Sequence, residues 1–311
     1  MTRKVICFIF SILWVLNSHS QEFGTHWISY PFPDDSTEVM FRHTYITKHR
    51  PQQAYITFAS MGSCKVYINE RNISREVFYR NETPQGILLH TYDVTRYLRP
   101  DSNTIAVWYA PCPQATAYSQ DAASKQLTLD YYGTNYNGSA FYQQADESWS
   151  CCLSEGNRIT QDSIGNTIEV FDNIQYDNSW KASDFLFPKS EKPVRRLFKE
   201  SKGIYTTLPT YPAYDNRLRH VLLPIAEHED SLGLLHYDFD RFFQGSVRLT
   251  LRETKKGERL EINGLVYICS GEMDEQAFRR LSTSQQKTIT IKGDRHFRKS
   301  QIQKIEGLEI Y

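Results

Sequence analysis

The sequence predicts an all-β protein of two β-sandwich or jelly-roll domains joined by a proline-containing linker. Three observations carry that reading. Short hydrophobic runs alternate with a period close to two, turn residues separate them at close spacing, and aromatics are dense, with 20 Tyr and 17 Phe against four Met. Aromatic and β-branched side chains suit pleated, half-buried surfaces. Many short strands build sandwiches and jelly rolls, whereas βαβ units need helical patterns between strands. Beyond residue 20 there is no amphipathic pattern of three or more helical turns.

Taken in order, residues 39–46, 54–59, 65–69, 86–92, 104–109 and 126–131 read as strands. Gly62-Ser63, Glu70-Arg71-Asn72, the RPDSN run at 99–103 and Asn137-Gly138 punctuate them. Asn69 suits a hairpin turn because Asn tolerates positive φ, and Asp93 is placed to bond backbone amides just past its strand. A break follows Trp180, where Pro188, Pro193, Pro209 and Pro212 read as connector rather than sheet. Strands resume at 234–239, 246–252, 259–262, 265–268, 288–291 and 308–311, with a turn at Lys255-Lys256-Gly257-Glu258. Residues 275–281 read as one or two helical turns. The expected organisation is a leader at 1–20, a jelly roll at 21–187, a linker at 188–221 and a second sandwich at 222–311.

The leader rests on Arg3 and Lys4, an apolar run over 5–16, and small residues before Gln21. The run is too short to span a bilayer and has the layout of a cleaved secretory signal. Export to the periplasm, cell surface or medium is therefore expected, with cleavage near Ser20; no later stretch reaches membrane length. Loss of Arg3 and Lys4 leaves 36 acids against 34 bases, a net charge of about −2. That charge offers no field for a phosphate backbone, so nucleic acid is not an expected partner. Cys64, Cys112, Cys151, Cys152 and Cys269 remain, an odd count without a CxxC pair, which points to buried thiols rather than a disulfide framework. The sequence lacks GxSxG, HExxH and phosphate-loop signatures. Asn72, Asn81 and Asn137 open chance sequons.

Residues 54–74 (AYITFASMGSCKVYINERNIS) and 86–110 (GILLHTYDVTRYLRPDSNTIAVWYA) resemble the galactose-binding-like jelly roll in the N-terminal region of bacterial α-L-rhamnosidases. The resemblance lies in Gly62, Asn69, the Tyr-Asp-Val-Thr segment at 92–95, Leu98 and Asn103, with Trp27-Ile28 and Phe41-Arg42 upstream. The segment at 166–180 (NTIEVFDNIQYDNSW) is similar to the family's acidic-aromatic-Asp-Trp stretch that closes the sandwich. Asp238-Phe239-Asp240, Gly245 and the Lys256-Gly257-Glu258 turn resemble the opening of the family's second sandwich. There the family's Gly-Gln-Asn run is replaced by Asp240-Arg241-Phe242-Phe243-Gln244.

What the resemblance implies is an accessory unit without the family's α/α-toroid, which would begin where this chain stops. The implied function is non-catalytic binding of polysaccharide or oligosaccharide, with rhamnose-containing glycans as the family's ligand class. In some rhamnose-binding modules an Asp-Asn pair ligates calcium, and Asp172-Asn173 is the matching pair; a carboxylate beside an amide carbonyl supplies two oxygen ligands. An Asx turn bonding its own backbone is the competing role for this pair. Trp149, Tyr136 and Tyr132 are candidate stacking faces, or else packing residues. Two other readings stay open. One is a protein-interaction or structural module of a glycan-utilisation system. The other is a divergent glycoside hydrolase using a pair among Asp238, Asp240, Glu272 and Glu275; no catalytic residue is assigned.

Overall fold

The structure is a computed structural model that describes residues 23–310 apart from 25, 33–35, 75–81, 84–85, 112–124, 197, 201–202, 206–209 and 213–216. The expected leader at 1–20, Cys112 and the sequon at Asn81 lie outside the described residues. Among the described residues the regular structure is strand apart from three short 3-10 turns. No helix among the described residues is long and apolar enough to cross a membrane.

The first sandwich pairs two sheets. One orders Val194–Arg196, Trp27–Ser29, Gln126–Thr134, Gln53–Ser60, Gly86–Asp93 and Thr210–Pro212. The other runs through Thr167–Asp172, Ser150–Gln161, Thr37–Ile46, Ser102–Ala110, Ser63–Ile68 and Arg71–Asn72. Between them lies a core that includes Phe41, Phe58, Val66, Val107, Tyr109, Leu129 and Trp149. Asn69 and Glu70 take φ of 49° and 73° and close the hairpin between Ser63–Ile68 and Arg71–Asn72. Asp93 Oδ1 accepts the Thr95 N–H at 2.9 Å, which pins the bend after its strand. Both turns agree with the sequence reading.

The proline-containing stretch departs from the expected connector. Val194–Arg196 pairs antiparallel with Trp27–Ser29, and Thr210–Pro212 pairs parallel with Gly86–Asp93. Both are terminal strands of that sheet, where proline's missing donor leaves no interior ladder bond unmade. The expected helical turns at 275–281 are also corrected, because Asp274–Phe278 is a strand paired with Arg248–Arg252. Its buried positions, Glu275 and Ala277, recur at period two, so helical i,i+3 reasoning misread a five-residue edge.

The second sandwich is built on the long strand Leu235–Arg252, which pairs with Ser284–Gly293 along its first part and with Ile302–Ile310 and Asp274–Phe278 along its second. Between Asp238 and Phe243 the register jumps, so four residues (239–242) face one, Lys287. The run that departs from the family pattern thus overlaps a large bulge that re-aims the strand. Asn263 and Gly264, at φ 34° and 78°, turn Arg259–Ile262 back into Leu265–Ile268. A Cβ on Gly264 would fall 1.9 Å from Arg279 Nη2, so glycine is required there twice over.

The two sandwiches are not independent beads. Thr167–Asp172 pairs parallel with Leu265–Ile268, which joins their sheets into one of 14 strands. The Ser102–Ala110 strand is apolar on both faces. Ile105, Val107 and Tyr109 enter the first core, whereas Ala106, Trp108 and Ala110 enter a second core shared with Phe239, Leu249, Ile262 and Tyr267. A strand covered on both sides reads as a continuous apolar run, and TIAVWYA is such a run.

A basic, aromatic cleft between the sandwiches

At this junction lies a cleft of about 330 Å³, within the size range of small-ligand sites. Its first wall follows from strand geometry. Lys65 and Tyr67 stand two apart on one strand face; Lys65 sits opposite Trp108 and Tyr67 opposite Asn72, so all four project to one side. Trp108 and Tyr67 are largely buried and show the cleft an edge. The segment after Thr167–Asp172 supplies Tyr176, Asn178 and Lys181. Asp177 accepts the Ser179 N–H and starts the short 3-10 turn that orients Lys181. Tyr176 stacks on Trp108 with centroids 5.1 Å apart and an interplanar angle of 27°. Phe278, Arg280 and Leu308 complete the opposite wall from the second sandwich.

Arg280 is fixed from behind. Its guanidinium lies 3.8 Å from the Phe171 ring centroid and 4.3 Å from that of Phe278. Its backbone is held by Glu169, a fully buried carboxylate that accepts N–H bonds from Arg280, Leu281 and Ser282 at 2.5, 3.2 and 3.2 Å, and from Ser282 Oγ at 3.0 Å. Lys181 Nζ donates to Asn178 Oδ1 and lies 4.5 Å from the Tyr67 ring centroid. Burial holds the Lys181 ammonium down to about 8; the exposed Glu70 opposes that shift, and the charge of Arg280 adds to it.

Behind Trp108 sits Glu38, 1% exposed, whose Oε2 accepts the indole N–H while Oε1 has no partner. Burial, followed by the charge of Glu169, raises its pKa well above the ordinary glutamate value of 4.5, against the smaller opposing pull of the Trp108 bond. Since the folded state favours the protonated form, its contribution to stability is complete below 4.5 and is lost as pH rises through the folded value. Glu38→Gln is therefore expected to gain about 1–3 kcal/mol over the wild type as pH rises from 5 to 8. Urea midpoints across that range check it; a constant difference between the two proteins would reject the protonated state.

The residues expected from the sequence do not line this cleft and do not converge on one ligand. Asp172 Oδ1 accepts the Ile174 N–H at 2.9 Å and Oδ2 accepts from Gln175 at 3.0 Å. Asn173 turns the other way, donating to Glu275 Oε2 at 2.9 Å and Ser270 Oγ at 3.2 Å on the second sandwich. With both Asp172 oxygens occupied and Asn173 directed elsewhere, the pair does not fit a shared calcium shell. Among the described residues no group of three or more His, Cys, Asp or Glu side chains is arranged to hold a metal. Trp149 is fully buried against His43, so its ring has no face for a sugar, and it lies roughly 20 Å along its strand from Asp172. Tyr136 is 65% exposed but belongs to the hairpin after Gln126–Thr134, in the other sheet. Tyr132 packs with Tyr55 on that same sheet.

The acids considered for hydrolysis are also separate. Glu275 is buried opposite Leu251, whereas Asp238 is opposite Thr288, about 40 Å of strand contour away along Leu235–Arg252. Asp238 accepts from Thr288, Asp240 pairs with Arg241, and Glu272 is exposed. A second depression of about 570 Å³ lies at the loop end of the first sandwich near Arg50, Arg96 and Tyr97. Its Ile73 rim leads directly into residues 75–81, outside the described residues.

Two fused β-sandwiches with a cleft at their seam define an accessory-type architecture. A family profile described as the α-L-rhamnosidase N-terminal domain matches residues 49–204, half of the chain, and the chain belongs to that family. Three α-L-rhamnosidase structures share the fold. The enzyme from Dictyoglumus thermophilum superposes with a TM-score of 0.74 at 20% identity, over 92% of this chain and 35% of its own. That from Aspergillus terreus gives 0.73 at 14%, over 94% and 36%. That from Streptomyces avermitilis, solved with L-rhamnose, gives 0.72 at 16%, over 90% and 29%. The chain thus spans about a third of these enzymes. No curated protein matches it.

Proposed function

We propose that the chain is an exported, non-catalytic carbohydrate-binding unit that holds a rhamnose-containing glycan in the cleft between its sandwiches. The observation that carries this reading is the cleft itself. Tyr176 offers a partly exposed aromatic ring suited to the C–H face of a pyranose, the edges of Trp108 and Tyr67 stand beside it, and Asn72 and Asn178 offer amides to hydroxyls at the rim. No carboxylate among the described residues lines it, which favours binding over glycoside hydrolysis, a reaction that needs two carboxyl groups across the bond. The family match and the α-L-rhamnosidase neighbours support a carbohydrate ligand, and the leader-like residues 1–20 support export.

The test is a glycan array probed with the protein in calcium and then in chelator. Binding to rhamnosylated glycans is expected and is expected to survive chelation, because Asp172 and Asn173 are committed to their own hydrogen bonds. Tyr176→Ala should weaken it about fivefold. Binding that vanishes with chelator would return the site to the Asp172 loop. Silence across the array would favour the protein-interaction reading, which rests on an exposed apolar row at Leu218, Val221, Leu223 and Ile225 along and beyond a terminal strand.

A further inference from the structure

Three cations, Lys65, Lys181 and Arg280, line this cleft. Among the described residues neither Lys181 nor Arg280 has a carboxylate within ion-pair distance, although each lies close enough to the other for repulsion to register at Lys181. The surrounding acids are committed elsewhere. Glu169 has both oxygens on the 280–282 backbone and Ser282, Glu70 is exposed and pairs with Arg99 at 3.6 Å, and Glu38 is sealed behind Trp108. Like charges held together in a partly desolvated site raise the energy of the free protein, and an anion placed between them removes that penalty. Guanidinium and ammonium beside aromatic walls form a site for a ligand that is both anionic and ring-shaped.

We propose that the cleft accepts an acidic sugar, a uronate residue of a glycan, whose carboxylate lies between Lys181 Nζ and the Arg280 guanidinium while its ring rests against Tyr176. This rests on the carbohydrate-binding reading above and specifies its ligand class. Burial is the chief cause of the lowered Lys181 value of about 8, as expected of an ammonium with no carboxylate at ion-pair distance. Neutral sugars would make the ring contact but leave Lys181 and Arg280 facing each other.

The test is calorimetric titration of the full chain with a short oligogalacturonate and with the same oligosaccharide after carboxyl reduction. The acidic form is expected to bind at least about tenfold more tightly at low salt, the scale of hydrogen bonds to a charged group, and the advantage should shrink at high salt. Lys181→Gln and Arg280→Gln should each remove most of that advantage, weakening the acidic form far more than the reduced one. Arg280→Lys, which keeps the charge, should retain part of it. Thermal midpoints verify that the variants fold, and the salt dependence of the unaltered protein stands without any variant. Equal affinity for both oligosaccharides, with neutral rhamnosylated glycans still bound, would overturn the uronate assignment and leave the carbohydrate-binding reading intact. Absence of binding to every glycan would overturn both.

Discussion

Glu169→Ala is expected to destabilise the protein by about 3–5 kcal/mol, the scale of losing the partner of several buried charged-group hydrogen bonds at once. The carboxylate belongs to the first sandwich, yet its donors are three consecutive backbone amides and one hydroxyl of the second. Alanine leaves those amides buried without an acceptor and releases the 280–282 segment that carries Arg280. The structural loss should therefore appear as weaker ligand binding as well. Glutamine keeps one carbonyl oxygen but turns an amide group toward backbone donors, so Glu169→Gln should fall between the two. Urea denaturation at pH 7 measures the series, and a loss below about 1 kcal/mol for alanine would mean that water replaces the carboxylate.

Glu275→Ala is expected to cost a similar amount, about 3–4 kcal/mol at pH 7, with a pH dependence opposite to that of Glu38. Burial alone would raise the pKa of Glu275. Bonds from Thr254, the Ser270 N–H, Asn173 and the Gly271 N–H overcome that and hold it below the ordinary value of 4.5. Its folded value being depressed, its contribution is present above 4.5 and is lost as pH falls through the folded value. The difference between wild type and Glu275→Ala should thus be largest near neutrality and narrow in acid. Denaturant midpoints between pH 3 and 7 check the sign, and a difference that widened in acid would contradict the depressed value. Since Glu275 accepts from both Asn173 and Tyr267, the variant also loosens the seam from the second sandwich's side.

Much of the fold was legible because each half keeps the plain signals of β structure. The strands at 259–262 and 265–268 match their sequence limits, since alternation and the Asn263-Gly264 turn mark both ends. The strands at 234–239 and 246–252 appeared as two because a bulge interrupts the period of one continuous strand. The site was much less legible. Lys65, Tyr67 and Trp108 are ordinary alternating strand residues until a second sandwich covers their face, and sequence spacing carries no information about such long-range packing. The best available signal was the unbroken apolar run at 104–110, too hydrophobic on both faces for a strand with one side in water. Within the segment at 166–180, Glu169 and Asn173 lock the seam, Asp172 closes its own loop, and Tyr176 and Asn178, with Lys181 just beyond, face the cleft.

The parallel pairing of Thr167–Asp172 with Leu265–Ile268 bears on how such a unit can be moved between larger proteins. Cut at the proline-containing stretch, either half would carry away a raw ladder of amides and carbonyls, with the apolar face around Trp108 and Tyr267 laid open. Such fragments would be prone to pair with one another or with themselves. The portable cassette is therefore the fused pair, and recombination that preserves function is confined to its outer borders.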